Sequence, residues 1–325
     1  MCLANMSAIA TRFEVPATFF WTNEWDVAHI AHPEILFDRN LMNSSGISFK
    51  KYHEVFVTSG PMKIHSDSYK NRISHNDFLG VDAALISCSH FQFFEGESYI
   101  NTRRLLCEAF SKIHPSAEVA ARIAGFPSRE DLRSAIGVHV RRGDICKSEK
   151  LVELSRIVDV NIYFQAIDIV RMRDDSPIFL CTEDKGVRDA FSQRYGDCII
   201  SFPTRSVDRL NPTSCADAFA EMYLLSETRL VIGATSAFNR VAAGRGLVPL
   251  FHIANETMQG DSTSLSRAAL EFMQFGMLDE AAQLIQRCAT MVPSDHLEMA
   301  RTRLKNLTSR RERQPHVAVP SLGAS

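Results

Sequence analysis

The sequence predicts an α/β protein built on a parallel sheet. From residue 131 onward, short apolar runs that read as buried strands alternate with helical patterns. A strand–helix–strand series implies right-handed crossovers and parallel strands. One of these runs, "IGVHV" (136–140), ends abruptly in Arg141-Arg142-Gly143-Asp144. Charge placed after a buried strand sits at its carboxyl end, where open α/β sheets bind ligands. At 325 residues the chain is long enough for two domains.

At the amino terminus, "NMSAIATRF" has a helical apolar pattern and "PATFFWT" reads as a strand. A doubly wound domain opens on a strand and a tight turn before its first helix. This sequence begins inside the helix, so the first strand and turn are expected to be missing. From Trp21 to Phe94 the pattern is irregular, with apolar runs at 34–37, 54–58 and 83–87. Two helices then flank Pro115, where "HPS" reads as a stop and a restart. The alternating series follows: strand 135–140, helix 161–173, strand 177–182, helix 185–195, strand 198–202, helix 216–227, strand 229–233, helix 236–245 and strand 247–251. Past residue 260 the chain is helical. Gly276, Ala281 and Pro293 are spaced as in the second half of a tetratricopeptide repeat, and a helical hairpin packed against the sheet domain accounts for the same pattern. The expected domains are therefore 1–128 (α/β), 129–258 (Rossmann-like), 259–310 (helical hairpin) and a disordered tail, 311–325.

Composition narrows the function. Lys and Arg number 36 against 38 Asp and Glu, a net charge of −2, which gives no general reason to bind nucleic acid or an anionic membrane. No run of about 18 apolar residues suggests a membrane span, and the first residues lack the basic start and apolar core of a signal peptide. The eight cysteines are scattered without a Cys-x-x-Cys pair. They read as reduced, small apolar residues, so a cytoplasmic location is expected and structural zinc is not.

Candidate site residues come from strand ends and helix starts. Side chains alternate along a strand, so Arg141 and Arg142 face opposite ways: one can enter a cleft while the other braces the loop. Arginine binds phosphate bidentately, and a pyrophosphate-bearing ligand suits the position; an Arg142–Asp144 surface ion pair is the plain alternative. His139 shares a face with Arg141. Thr235, Ser236 and Ala237 open a helix whose amino terminus suits phosphate, and ordinary capping gives the same pattern. Glu221 sits in a helix that is apolar nearly all round and needs donors, from a ligand ring edge or from an arginine. Glu183 and Asp184 follow strand 177–182, facing a hydroxyl-bearing ligand or starting the next helix. No Asp-x-Asp motif is present to hold a divalent metal on a diphosphate, so metal-independent chemistry is expected.

Together, "HVRRGD", "PIFLCTED" and "TSAFNR" preceded by "ADAFAEMYLLSE" resemble, in order and spacing, the superfamily of α1,2-, α1,6- and protein O-fucosyltransferases. The third motif is especially similar to the bacterial nodulation fucosyltransferases. The helix "SKIHPSAEVAARI" resembles the one that precedes the arginine strand in that group. The resemblance spans about residues 6–255. It implies a GT-B fold of two Rossmann-like domains, an inverting transfer, and GDP-fucose as donor substrate, with no cofactor or metal. By the same resemblance, Arg141 would hold the β-phosphate with Arg142 in support, and His139 and Glu221 would contact the guanosine. Thr235, Ser236 and Ala237 would wrap the diphosphate, with Arg240 close by in the same motif. Glu183 and Asp184 would line the donor site, and Glu149 falls where the α1,6 enzymes carry a candidate general base. Ile145 replaces a lysine of those enzymes. The implied partners are a sugar nucleotide and a glycan acceptor; a protein partner through the C-terminal helices, which lie beyond the resemblance, is a separate expectation. Two other readings stay open: another GDP-sugar as donor, or an inactive chain that serves as an interaction protein.

Overall fold

The structure is a computed structural model that describes residues 2–14, 17–21, 37–38, 47–51, 62–65, 83–86, 93–142, 157–172, 174–203, 212–258 and 260–313. In chain order the elements are α1 (Cys2–Phe13), β1 (Ala17–Trp21), β2 (Ile47–Lys51), β3 (Met62–His65), β4 (Ala83–Ile86), α2 (Tyr99–Ser111), α3 (Ala117–Ala124), β5 (Ile136–His139), α4 (Val160–Val170), β6 (Ile178–Cys181), α5 (Lys185–Tyr195), β7 (Ile199–Ser201), α6 (Pro212–Leu225), β8 (Leu230–Gly233), α7 (Ala237–Gly246), β9 (Leu250–His252), α8 (Thr263–Gln274), α9 (Leu278–Arg287) and α10 (Asp295–Arg313). The expected α/β class is present, with a parallel five-stranded sheet ordered β7-β6-β5-β8-β9.

Contacts divide the chain into two compact units that do not follow chain order. Unit one holds residues 1–129, 202–227 and 240–247; unit two holds 130–201, 228–239 and 248–325. The C-terminal helices thus belong with the sheet, and α6 with most of α7 belongs with α1 to α3.

Unit one contains two parallel strand pairs, β1–β2 and β3–β4. Ser98 and Ser116 cap α2 and α3 by accepting the Asn101 and Val119 amides, at 3.2 and 3.3 Å. The stop and restart at "HPS" is therefore a genuine cap. Polar contacts tie the later segments to these helices. Fully buried Arg103 donates to the Ala243 carbonyl at 2.9 Å, and the Tyr223 hydroxyl donates to the Ile113 carbonyl at 2.7 Å. Arg122 bridges Glu118 and the buried Asp217. Gly246 passes so close to the Ser226 carbonyl that a Cβ would overlap it.

Unit two is built around the five-stranded sheet. β5, β6 and β8 are buried along their whole length, as strands covered on both faces must be. The apolar runs read from the sequence are these strands, shortened by a residue or so at either end. In register, Ile136 faces Ile178 on one side and Leu230 on the other; His139 faces Cys181 and Gly233. On α8, Leu265, Ala268, Ala269 and Phe272 are buried at helical spacing, and Phe272 meets Phe251 of β9 edge-on with centroids 6.0 Å apart. Each fully buried side chain of this size contributes roughly 1.5–3 kcal/mol. Gly276 adopts φ +76 at the end of α8, a conformation that favours glycine, and turns the chain into α9. Arg229, just before β8, reaches Glu280 of α9 at 3.0 Å and Asp174 at 3.3 Å.

Candidate functional site

The strand order sets the site. β5 lies between β6 and β8, and the chain leaves β5 towards β6 but leaves β8 towards β9. The connections after β5 and β8 therefore diverge, and a crevice opens at the carboxyl ends of these two strands. His139, Arg141 and Arg142 end one strand; Gly233 to Ser236 end the other.

His139, the last residue of β5, is only 7% exposed. Its Nδ1 lies 2.6 Å from Oδ1 of Asn239 on α7. The Asn239 amide nitrogen donates to the Ala234 carbonyl, also at 2.6 Å. The imidazole stacks on Phe238 with centroids 4.4 Å apart. Burial, above all, pushes the His139 pKa down to about 4; the Asn239 hydrogen bond opposes the shift and the nearby Arg141 charge adds to it. Gly233 makes room for this arrangement, since a Cβ there would come within 2.6 Å of the Asn239 Cγ.

Arg141 and Arg142 are both half-buried, and they act on different neighbours. The Arg141 charge is felt by His139. The Arg142 charge is felt by Tyr163, a buried residue of α4 whose hydroxyl is hydrogen-bonded by the Ala234 backbone. Burial pushes the Tyr163 pKa up to about 12. The Arg142 amide donates to Glu183 Oε1 at 3.1 Å, so the loop after β6 supports the loop after β5. The Asp184 carboxylate caps α5 by accepting the Val187 amide at 2.9 Å.

Across the crevice, Ser236 caps α7, its Oγ accepting the Phe238 amide at 3.1 Å. Ala237 is the first helical residue. The amides of a first turn have no partner within the helix and carry partial positive charge. Thr235 Oγ1 lies 2.7 Å from His252 Nε2, at the end of β9. Glu221 and Arg240 are half-buried members of unit one. Asp144 and Glu149 lie outside the described residues. The structure thus groups His139, Arg141, Arg142, Glu183, Thr235, Ser236 and Ala237 at one sheet edge. Among the described residues, no set of three or more His, Cys, Asp or Glu side chains forms a metal-binding group, and no helix is long and apolar enough to cross a membrane.

Asn239, Phe238, Gly233, Tyr163 and His252 escaped the sequence reading. For Asn239 a signal existed. It stands three residues after the cap Ser236, the spacing at which a first-turn side chain folds back towards the helix start.

Comparison with known proteins agrees with the motifs. The sequence model of glycosyl transferase family 11 matches residues 116–253, a segment that contains β5 to β9 and the crevice. No curated protein matches the sequence. Among solved structures, the chain is similar to the α-1,6-fucosyltransferase NodZ co-crystallised with GDP, at 21% identity over 78% of this chain and 89% of that one, TM-score 0.49. It is also similar to NodZ from Bradyrhizobium (20% identity, 78% and 93% covered, TM-score 0.48). A variant of Arabidopsis thaliana FUT1 in complex with GDP is similar at 13% identity (77% and 66% covered, TM-score 0.44). Residues 116–253 match the model of glycosyl transferase family 11, and the three motifs all lie within that segment.

Proposed function

We propose that the chain moves fucose from GDP-fucose to a hydroxyl of a glycan acceptor, by a single inverting displacement that needs no metal ion. One observation carries the reading: Arg141 and Arg142 directly follow β5, and the capped amino terminus of α7 directly follows its sheet neighbour β8, at the diverging ends of the two strands. A diphosphate placed there meets guanidinium groups from one strand end and helix amides from the next. The family 11 segment and the three motifs support a GDP-sugar as the donor.

In this mechanism a base takes the acceptor proton as the hydroxyl attacks the anomeric carbon, and GDP leaves with the bond electrons. Arg141 and the α7 terminus stabilise the negative charge that grows on the leaving oxygen, an effect worth several kcal/mol, roughly 3–4 for one well-placed donor. Arg142, held through its amide by Glu183, keeps the loop in position. Glu149 is the residue proposed as base. By the same resemblance Glu221 and Arg240 belong to the donor site, and Thr235 to the diphosphate loop.

The test is calorimetry of the purified protein with GDP and UDP, together with transfer from GDP-fucose to chitin oligosaccharides and other glycans. GDP should bind in the micromolar range and in preference to UDP, and Arg141→Ala should remove transfer and most of the binding. A wild-type preference for UDP would overturn the assignment.

A further inference from the structure

Asn239 has a task that its amide geometry defines. Its two amide atoms are not interchangeable here. The Ala234 carbonyl can only accept, so the Asn239 nitrogen must face it, at 2.6 Å. Oδ1 then faces His139 Nδ1 at 2.6 Å, and since Oδ1 can only accept, Nδ1 must carry the imidazole proton. Both residues are buried, Asn239 at 1% and His139 at 7% exposure. Phe238 stacked on the ring and Gly233 beneath Asn239 leave the pair little freedom to rotate. The second ring nitrogen, Nε2, makes no hydrogen bond among the described residues, and it is not among the sealed polar atoms that lack a partner. Arg141 is the charge that acts on this ring, and as a cation it too disfavours a second proton there.

We propose that Asn239 is a positioning residue that locks His139 as a neutral, Nδ1-protonated imidazole, so that Nε2 is a hydrogen-bond acceptor that takes a hydroxyl or N–H of the nucleoside and never a phosphate oxygen. This rests on the nucleotide-sugar reading of the site, and it divides the labour there. Arg141 and the α7 terminus take the anionic part of the donor, while His139 reads a donor group on its uncharged part. A phosphate oxygen opposite Nε2 would set two acceptors face to face in a buried site, which is unfavourable.

The experiment is ¹⁵N-resolved NMR of the His139 imidazole in the full chain between pH 8 and 5.5, with calorimetry using GDP and inorganic pyrophosphate as probes. In the wild type His139 is expected to show a protonated Nδ1 and a bare Nε2 throughout, with the Nε2 resonance moving when GDP is added. In Asn239→Ala the lock is gone and Nε2–H forms become populated. GDP affinity should fall about tenfold, the scale of one lost hydrogen bond with an unpaired buried partner, while pyrophosphate affinity stays within twofold. A wild-type His139 that carries its proton on Nε2, or that titrates near pH 6.5, overturns the proposal, as does equal weakening of GDP and pyrophosphate by Asn239→Ala. Should that variant fail to fold, the wild-type spectra alone decide. Absence of GDP binding to the wild type would instead remove the function proposed above, and the tautomer of the free protein would still test the lock.

Discussion

Replacing Gly233 by alanine tests the geometry around His139 with a single methyl group. Gly233 carries no left-handed backbone angle, so a side chain there meets no conformational penalty. The obstacle is Asn239: the added Cβ would lie 2.6 Å from its Cγ and 2.9 Å from its Oδ1, inside any tolerable contact. Asn239 must swing away, and two buried hydrogen bonds go with it, one to His139 and one to the Ala234 carbonyl. Each is worth about 1 kcal/mol net, and the groups left unpaired raise the cost to about 1–3 kcal/mol apiece. Alanine recovers about 0.5 kcal/mol by restricting the unfolded chain. The expected loss is about 3 kcal/mol. Once Asn239 is itself cut back to alanine, the space for the methyl exists. In the Asn239→Ala background Gly233→Ala should then cost less than about 0.5 kcal/mol, a coupling of the size expected for residues in direct contact. Urea unfolding of the four proteins, followed by fluorescence and circular dichroism, closes the cycle. Equal costs for Gly233→Ala in the two backgrounds would refute the reasoning.

The remaining predictions concern pH and buried charge. The lowered pKa of His139, about 4 in place of 6.5, makes its contribution complete above pH 6.5 and lost as pH falls through 4, about 3 kcal/mol in all; acid unfolding of His139→Phe should lack that part of the pH dependence. Tyr163 behaves in the opposite sense. Its raised pKa, about 12, means stability that is present below pH 10 and lost as pH rises through 12, and Tyr163→Phe should flatten that alkaline limb. In unit one, Asp217→Ala leaves Arg122, whose side chain is 11% exposed, with Glu118 as its remaining ion-pair partner, and should cost about 2 kcal/mol in chemical denaturation, whereas replacing both Arg122 and Asp217 by apolar residues should cost less.

The sheet of unit two was legible because its strands are short apolar runs set between amphipathic helices; β6 was expected at 177–182 and forms at 178–181. β2 was not, since three of the five residues in "ISFKK" are polar and its alternation runs for only four residues. β3, "MKIH", and β4, "AALI", are four residues each, and the run expected at 54–58 lies outside the described residues. The grouping of α6 with the first unit was invisible in one dimension, because it depends on long-range contacts such as Arg122 with Asp217 and Tyr223 with Ile113. At the site, the charged and capping residues announced themselves by type and position. Asn239 and Gly233 did not, because an asparagine inside a helix and a glycine ending a strand have many ordinary uses. Only their closeness in space shows that each requires the other.

The His139–Asn239 pair joins positions 100 residues apart, through the pairing of β5 with β8. Closing a loop of that length costs somewhat more entropy than closing the shorter crossover between the parallel strands β5 and β6, because the cost grows with the logarithm of the span. The crevice therefore cannot exist in a nascent chain that stops after β7, however well its first three sheet strands have formed. A nucleotide held there would recognise the finished sheet alone. At a hundred times its dissociation constant it would add about 2.7 kcal/mol to that state, so ligand-induced resistance to proteolysis doubles as a readout of completed synthesis.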